Sequence, residues 1–255
     1  LSLHDALPIL AAALGCALVS VSSQADTIAG VYVGAQVWQT DTQGGFADSN
    51  NTADFNFDDE TNTALYIAFE HPVPFLPNVK VNHTTLDNSG TTTLQSEFTF
   101  DGELFTESTT VNTDVELDAT DFILYYELFD NDLVSFDLGV NAKYIDGALF
   151  VVDRASDTSG SAEFSGIVPM AYSKVQLGLP FTGLSAYFEG SYLSFDDHEL
   201  SDYQAAIQYS FIESLAVDMT LQVGYRNVTV DIEDLDDVYA DMEFDGVFAG
   251  LELHF

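Results

Sequence analysis

Alternation of apolar and polar residues, sustained over segments of ten residues or more, restricts the fold of this chain more than any other feature. In one segment Val217, Met219, Leu221, Val223 and Tyr225 hold one phase, while Asp218, Thr220, Gln222, Gly224 and Arg226 hold the other. In another, Val134, Phe136, Leu138, Val140, Ala142 and Tyr144 oppose Asp137, Gly139, Asn141 and Lys143. In a third, Ala205, Ile207, Tyr209 and Phe211 oppose Gln204, Gln208 and Ser210. Successive side chains of a strand point to opposite faces, so each segment makes a strand with one apolar and one polar face. Helical periodicity is hard to find, and no apolar run reaches the roughly 18 residues a membrane-crossing helix needs.

Ten strands are expected, over 28–39, 61–71, 78–87, 115–129, 133–145, 165–179, 184–195, 201–212, 215–227 and 243–255. Their connections alternate in length. Pro72–Pro77, Asp130–Asp132, Pro180–Gly183 and Glu213–Ser214 are short. The stretches near 40–60, 88–114, 146–164 and 228–242 are long, with a shorter one near 196–200. The loop 88–114 suits a hairpin around Asp101-Gly102 that lengthens the strands. Four prolines (Pro72, Pro74, Pro77, Pro180) fall in short turns, where a missing N–H costs no ladder bond. Strands of this length, tyrosine-rich apolar faces and asymmetric connections favour one architecture over a soluble sandwich. It is an all-β, transmembrane, antiparallel up-and-down barrel of about ten strands, with eight the nearest alternative. An even strand number places both termini on the short-turn side, the periplasm of a Gram-negative cell.

The N-terminus reads as a leader. Ile9 to Val21 is apolar, and Ser23-Gln24-Ala25 fits a small-x-small cleavage site, so 1–25 is expected to be a signal peptide and 26–255 a single barrel domain. Leu1 to Pro8 has neither an initiating Met nor a Lys or Arg, and looks like a mis-called or foreign start. Cys16, the sole cysteine, lies in the leader, so the mature chain has no disulfide and no thiol chemistry. Leu14-Gly15-Cys16 faintly suggests a lipidation site, but the apolar run continues to the better cleavage site beyond it.

Charge narrows the partners. The chain carries 42 acidic and 5 basic residues, a net charge of −37. That excludes nucleic acid, which needs Lys and Arg against its phosphates. The basic residues also test the barrel. Lys80, Lys143, Lys174 and Arg226 all lie on the polar faces of expected strands, together with Glu70, Glu127, Asp137, Glu189, Asp218 and Glu252. A Lys or Arg turned toward lipid at mid-bilayer costs about 2–4 kcal/mol, so these are expected to line the lumen as ion pairs. Tyr32, Trp38, Tyr66, Tyr125, Tyr172 and Tyr187 share that face and leave little open bore.

The chain closes on Phe248-Ala249-Gly250-Leu251-Glu252-Leu253-His254-Phe255. A final aromatic preceded by apolar residues at every second position resembles the signal read by the barrel-assembly machinery, with Phe248, Gly250, Leu251, Leu253 and Phe255 as its residues.

Several segments resemble a group of proteobacterial outer-membrane β-barrel proteins of unassigned function, named for a Gly-Gly pair. They are Ala29-Gly30-Val31-Tyr32-Val33-Gly34-Ala35 with Trp38, Phe69-Glu70-His71-Pro72-Val73-Pro74-Phe75-Leu76-Pro77-Asn78, Phe98-Thr99-Phe100-Asp101-Gly102, Leu124-Tyr125-Tyr126-Glu127, Leu179-Pro180-Phe181-Thr182-Gly183-Leu184-Ser185-Ala186 and the C-terminal strand. Gly44-Gly45 is the candidate for the naming pair. The resemblance implies an outer-membrane location and a barrel, and brings no activity or catalytic residue.

Chemistry-bearing motifs are sparse. Asp196-Asp197-His198-Glu199 falls at the expected outer rim, where ten-stranded outer-membrane proteases activate a water, but no second acidic pair accompanies it. No Gly-x-Ser-x-Gly elbow, Walker loop, His-Glu-x-x-His or Cys pair occurs. An enzyme is not expected. Two loops are densely acidic, Asp58-Asp59-Glu60 and the group Asp231, Glu233, Asp234, Asp236, Asp237 with Asp241. The second group supplies oxygen ligands for Ca²⁺ or Mg²⁺ but lacks EF-hand spacing. The alternative is a solvated rim, bridged to lipopolysaccharide by divalent cations. Three readings stay open: a structural or interaction barrel in contact with lipid and lipopolysaccharide, a narrow cation-preferring channel, and a rim-sited hydrolase.

Overall fold

The computed structural model describes residues 29–49, 52–131, 133–195, 198–214, 216–235 and 238–255. The signal peptide expected over 1–25, and Asp196, Asp197, Asp236 and Asp237, lie outside the described residues.

The strands are β1 (Gly30–Ala47), β2 (Ala53–Asp54), β3 (Glu60–Glu70), β4 (Asn78–Thr85), β5 (Asn88–Thr93), β6 (Phe98–Phe100), β7 (Glu103–Phe105), β8 (Thr110–Asp130), β9 (Val134–Asp153), β10 (Thr158–Leu179), β11 (Leu184–Phe195), β12 (His198–Ile212), β13 (Asp218–Leu235) and β14 (Val238–His254). Ten staves form the wall, each antiparallel to its neighbours, and β14 pairs with β1 to close it. One stave is interrupted: β4 and β5 both pair with β8. Closure gives each of the long staves a neighbour on both sides, with β2 and β5 paired on one side only, which is why alternating strands of this length are stable without a second sheet.

The expected strands are all present, but the long connections are mostly not loops. β1 runs to Ala47, β9 to Asp153 and β13 to Leu235, while β10 begins at Thr158 and β14 at Val238. The segments read as loops over 40–60, 146–164 and 228–242 are thus largely wall. Their outward residues turn acidic, as at Asp146, Glu163 and Asp241. The alternation nevertheless continues through them with inverted sense.

That inversion divides the barrel into two storeys. Near the end that carries the C-terminus and the short turns, outward residues are apolar: Phe122, Leu124 and Tyr126 on β8, Leu221, Val223 and Tyr225 on β13, Val247 and Leu251 on β14. They join Val140, Ile167, Ile207 and others in an exposed belt around the wall. Farther along the same strands the outward residues become Asn112, Asp114, Glu116, Asp118 and Thr120 on β8, and Glu163 and Ser165 on β10. The inward residues change oppositely, to Val111, Val115 and Leu117, Leu149 and Val151, Val228 and Val230, and Met242 and Phe244, all buried. Tyr144 and Tyr225 mark the boundary, donating to Asp146 and Asp245 just above them.

The loop expected around Asp101-Gly102 is the β6–β7 hairpin. Both turn residues are left-handed, Asp101 at φ 54° and Gly102 at φ 71°, as a two-residue type I′ turn requires. Phe98, Phe100 and Phe105 of this hairpin are buried in the far storey: Phe100 is tilted against Phe46, Phe98 meets Phe55 edge-on, and Phe105 stacks on Phe98. Burying each such ring stabilises the structure by about 1.5–3 kcal/mol. The Asp48 carboxylate accepts the Asp101 and Gly102 N–H groups at 2.9 Å each, fixing the hairpin to the end of β1. Beside it, the Gly44-Gly45 pair has a steric reason. Gly44 sits at φ 101°, a Cβ there would lie 2.0 Å from the Asp241 carbonyl oxygen, and one on Gly45 would lie 1.7 Å from that of Ala53. Only glycine lets β1 pass between β14 and β2 at this point.

Candidate functional site

The interior of the near storey concentrates the charged side chains. A central layer is formed by β4, β8, β9, β11, β12 and β13. Lys80 Nζ donates to Glu189 Oε1 at 2.5 Å, and Tyr172 Oη donates to the same oxygen at 2.9 Å. Lys143 Nζ bridges Asp121 at 2.8 Å and Asp202 at 2.9 Å. Arg226 grips both Asp202 oxygens, Nε to Oδ1 at 2.9 Å and Nη2 to Oδ2 at 2.8 Å. All six charged groups are nearly sheathed from solvent, and such pairs hold only where additional hydrogen bonds complete them. Gln204 Nε2 to Glu189 and Asn141 Nδ2 to Asp121 supply two of those bonds. Arg226 also lies 5.0 Å above the ring of Trp38, and Lys80 lies 4.7 Å from that of Tyr66, so aromatic faces complete the cation environment. The space remaining among these side chains is about 30 Å³, enough for roughly two water molecules.

Toward the C-terminal end a second layer is looser. Tyr125 Oη donates to Glu70 at 2.8 Å, Asn78 Nδ2 to Glu127 at 3.3 Å, and Tyr66 Oη to Glu252 at 2.6 Å. Asp137 is buried, and its Oδ1 has no hydrogen-bond partner among the described residues. Lys174 lies opposite Asp137 in the β9–β10 register, yet forms no salt bridge among the described residues. Its ammonium sits 5.9 Å from the Tyr187 ring.

Of the residues expected to line the lumen, the structure brings Lys80 and Glu189 into contact, and Lys143 and Arg226 onto Asp202. Asp218 is elsewhere, half-exposed at the rim, 3.7 Å from His254. Asp121 and Asp202, which hold the central layer together, were missed by the sequence reading. The signal was present: Asp121 shares the phase of Tyr125 and Glu127, and Asp202 that of Gln204 and Gln208.

On the far storey Asp114, Glu116, Asp118, Asp146, Glu163, Asp241 and Glu243 face outward, whereas Asp153 at the end of β9 is buried. Asp231 stands opposite Asp241, and Asp41 opposite Asp245. Desolvation first, and then Asp231, Asp54 and Glu243, push the Asp241 carboxyl above its ordinary value of 3.8. Asp245 is raised by burial and by Asp41. Of the proposed cation ligands, Glu233 and Asp234 belong to β13, whereas Asp236 and Asp237 lie outside the described residues. Among the described residues no group of three acidic, His or Cys side chains converges to hold a metal ion. His198 opens β12 opposite Phe195 and is exposed.

On the last strand Leu251 faces outward with Val247, while Gly250 faces inward against Gln36 and Gln222. Phe248, grouped above with the terminal signal, is in the opposite phase from Phe255 and is buried in the far core with Trp38 and Phe244. It belongs to the packing rather than to the outward stripe.

No protein-family model matches the sequence, and neither does any curated protein. The fold, in contrast, is similar to solved structures. The outer membrane protease OmpT from Escherichia coli aligns at 10% identity over 93% of this chain and 99% of that one, with a TM-score of 0.48. The transport unit of the autotransporter AIDA-I from Escherichia coli aligns at 7% identity over 96% of each chain, with a TM-score of 0.43. The toluene transporter TodX from P. putida aligns at 10% identity over 91% of each chain, with a TM-score of 0.33.

Proposed function

We propose that this protein is an outer-membrane β-barrel with both termini in the periplasm, packed shut inside, whose role is structural or interactive through an acidic collar outside the cell. One observation carries the reading. The same strands are apolar outward in one storey and acidic outward in the other, so the wall is matched to two solvents along its length. A tilted strand needs about 9–11 residues to cross a bilayer, and the stretch from Val247 on β14 to Phe255, which continues the pairing just past the strand's end, has that length. Among the described residues the paired central layer leaves a space of only about 30 Å³, with an aromatic core beyond it, and this supports a closed barrel over a channel. No catalytic role is assigned. The opposed carboxylates of the collar suit divalent cations that bridge to lipopolysaccharide phosphates. The outward stripe Val247, Leu251, Leu253 and Phe255 suits recognition by the assembly machinery.

The test is expression in a Gram-negative host, followed by fractionation, a heat-modifiable gel shift and planar-bilayer recording. The expected result is a heat-modifiable outer-membrane protein that is electrically silent. Discrete cation-selective steps would favour the channel, and recovery as a soluble periplasmic protein would overturn the membrane reading.

A further inference from the structure

The wall between β10 and β11 is paired over only part of its height. Their register runs from Leu179 opposite Leu184 to Ala171 opposite Tyr192 and stops there, while β10 stays paired with β9 up to Thr158 opposite Asp153. The stretch from Thr158 to Met170 thus has a neighbour on one side only among the described residues. Pro169 gives the reason. Along a strand the N–H and C=O groups of successive residues turn to alternate neighbours. Gly178 N–H donates to the Leu133 carbonyl on the β9 side at 2.9 Å, and the β9–β10 register continues without a shift. Even-numbered residues of β10 therefore bond toward β9, and odd-numbered ones toward β11. Pro169 falls among the latter and has no N–H to donate, so the ladder ends beside it. Beyond it the N–H and C=O groups of Ile167, Ser165 and Glu163 point into the gap and meet no partner among the described residues. Ser161, next in the series, agrees: its N–H is taken at 3.2 Å by Asp101 of the β6–β7 hairpin rather than by β9.

The two sides of this edge differ. Ala162, Phe164, Gly166 and Val168 turn inward and are partly buried. A Cβ on Gly166 would meet nothing within 4 Å, so there is open space beside it. Phe164 borders an apolar cavity of about 20 Å³ shared with Leu117, Val230 and Phe244. On the outer side Glu163 is exposed, and so is Asp146, which stands opposite Ser165. Glu116 continues the row of Glu163 two staves away, and Asp118 that of Asp146. Arg154 lies in the turn beyond β9. The edge begins at Ile167, 70% exposed in the apolar belt, and runs from there into the acidic collar.

We propose that the free edge of β10 docks an extended segment of a partner protein, in which apolar residues alternate with Lys or Arg, as an added strand. Unpaired backbone donors and acceptors at strand spacing are matched by another polypeptide backbone, and an acyl chain offers them nothing. The side chains of the added strand alternate between the two faces of the wall. Those turned inward enter the space beside Gly166 and the apolar cavity, and those turned outward meet Glu163 and Asp146. A second copy of this chain fits poorly, because it would bring Glu163 and Asp146 against their own kind in a chain of net charge −37.

The accessibility of this edge from outside the cell rests on the barrel reading, and the two are separable by experiment. A fluorescent peptide of alternating valine and lysine is titrated into the full chain folded in detergent micelles, and binding is read by anisotropy. Heat-modifiable mobility is read on the same samples, so a failed fold is seen apart from failed docking. The edge predicts saturable binding that weakens by about tenfold when every second peptide nitrogen carries a methyl group, a change that removes donors and keeps charge and hydrophobicity. A similar loss is expected in Ser165→Pro, which deletes an N–H that faces the gap and leaves the β9 ladder intact, and not in Ser165→Ala. Gly166→Leu, which fills the open space, is expected to weaken binding several-fold, as is Glu163→Lys. Should Ser165→Pro not fold, the methylated peptide and Gly166→Leu carry the test. Equal binding of the methylated peptide, or binding untouched by Ser165→Pro in a folded barrel, would mean attraction to the acidic collar alone and overturn the proposal. Self-association of the unliganded chain that Ser165→Pro abolishes would overturn the cationic partner in favour of a second copy. A persisting gel shift in either case would leave the barrel reading intact.

Discussion

The two storeys of this barrel are built from the same strands and held by opposite means. In the near storey the wall is apolar outside, and the interior is a network of fixed charges: Lys143 between Asp121 and Asp202, Arg226 on Asp202, Lys80 on Glu189. In the far storey the wall is acidic outside, and the interior is a hydrocarbon core of Phe46, Phe100, Phe244 and their neighbours. The far storey resembles a water-soluble barrel, stabilised by removing apolar surface from solvent. The near storey cannot use that term on its outer face when lipid surrounds it, and draws on electrostatic pairing within. The lesson is that alternation specifies a two-faced wall, while the solvent on each side decides which face is the core.

Breaking the ion-paired layer should cost most. Asp202 neutralises two buried cations, so Asp202→Ala is expected to destabilise the barrel by about 3–5 kcal/mol, read from urea unfolding in lipid vesicles. A loss below roughly 1 kcal/mol would show that water enters the layer freely, and the contrast between storeys would fail. A charge scan of the outer wall should come next. Val140, 60% exposed in the belt, and Glu116, exposed above it, both point outward on neighbouring strands. Val140→Lys is expected to cost about 2–4 kcal/mol in vesicles, whereas Glu116→Lys should be near neutral. Equal costs would place both in the same solvent.

The smallest effect belongs to the collar. Asp241 titrates above its ordinary range, so its ionised form is the disfavoured one in the folded barrel. The penalty is absent while the carboxyl is protonated in both states, grows as pH rises past 3.8, and is complete above the raised folded value. Asp241→Asn should thus stabilise the protein at pH 7 by a few tenths of a kcal/mol, the scale of an opposed like-charge pair that salt screens. The gain should vanish below about pH 4, as followed by thermal melts across pH. A gain that grew toward acid pH would reverse the assigned sign.

Much of the site was legible before the fold. Lys80, Lys143, Lys174 and Arg226 could be assigned to one face because a lone cation among alternating residues has only two directions to take. Which carboxylate each meets was not legible. Lys80 and Glu189 are 109 residues apart and meet across the lumen, a contact set by barrel diameter and stave order rather than by any local spacing. Phe248 shows the same limit. It stands beside the terminal stripe in sequence, and only its register opposite Trp38 assigns it to the core.

The sequence by itself determined that the chain beyond its leader is built of strands, that each strand has two chemically distinct faces, and that short turns gather at one end, because a period of two is a property of the backbone. Only the tertiary structure decided where the barrel changes from one storey to the other. Closure of β1 on β14 turns one face of every strand into an interior, and the height at which Val247 gives way to Asp245 outside and Gly250 to Phe248 inside is a collective level across ten staves, set by their registers and invisible in any one of them.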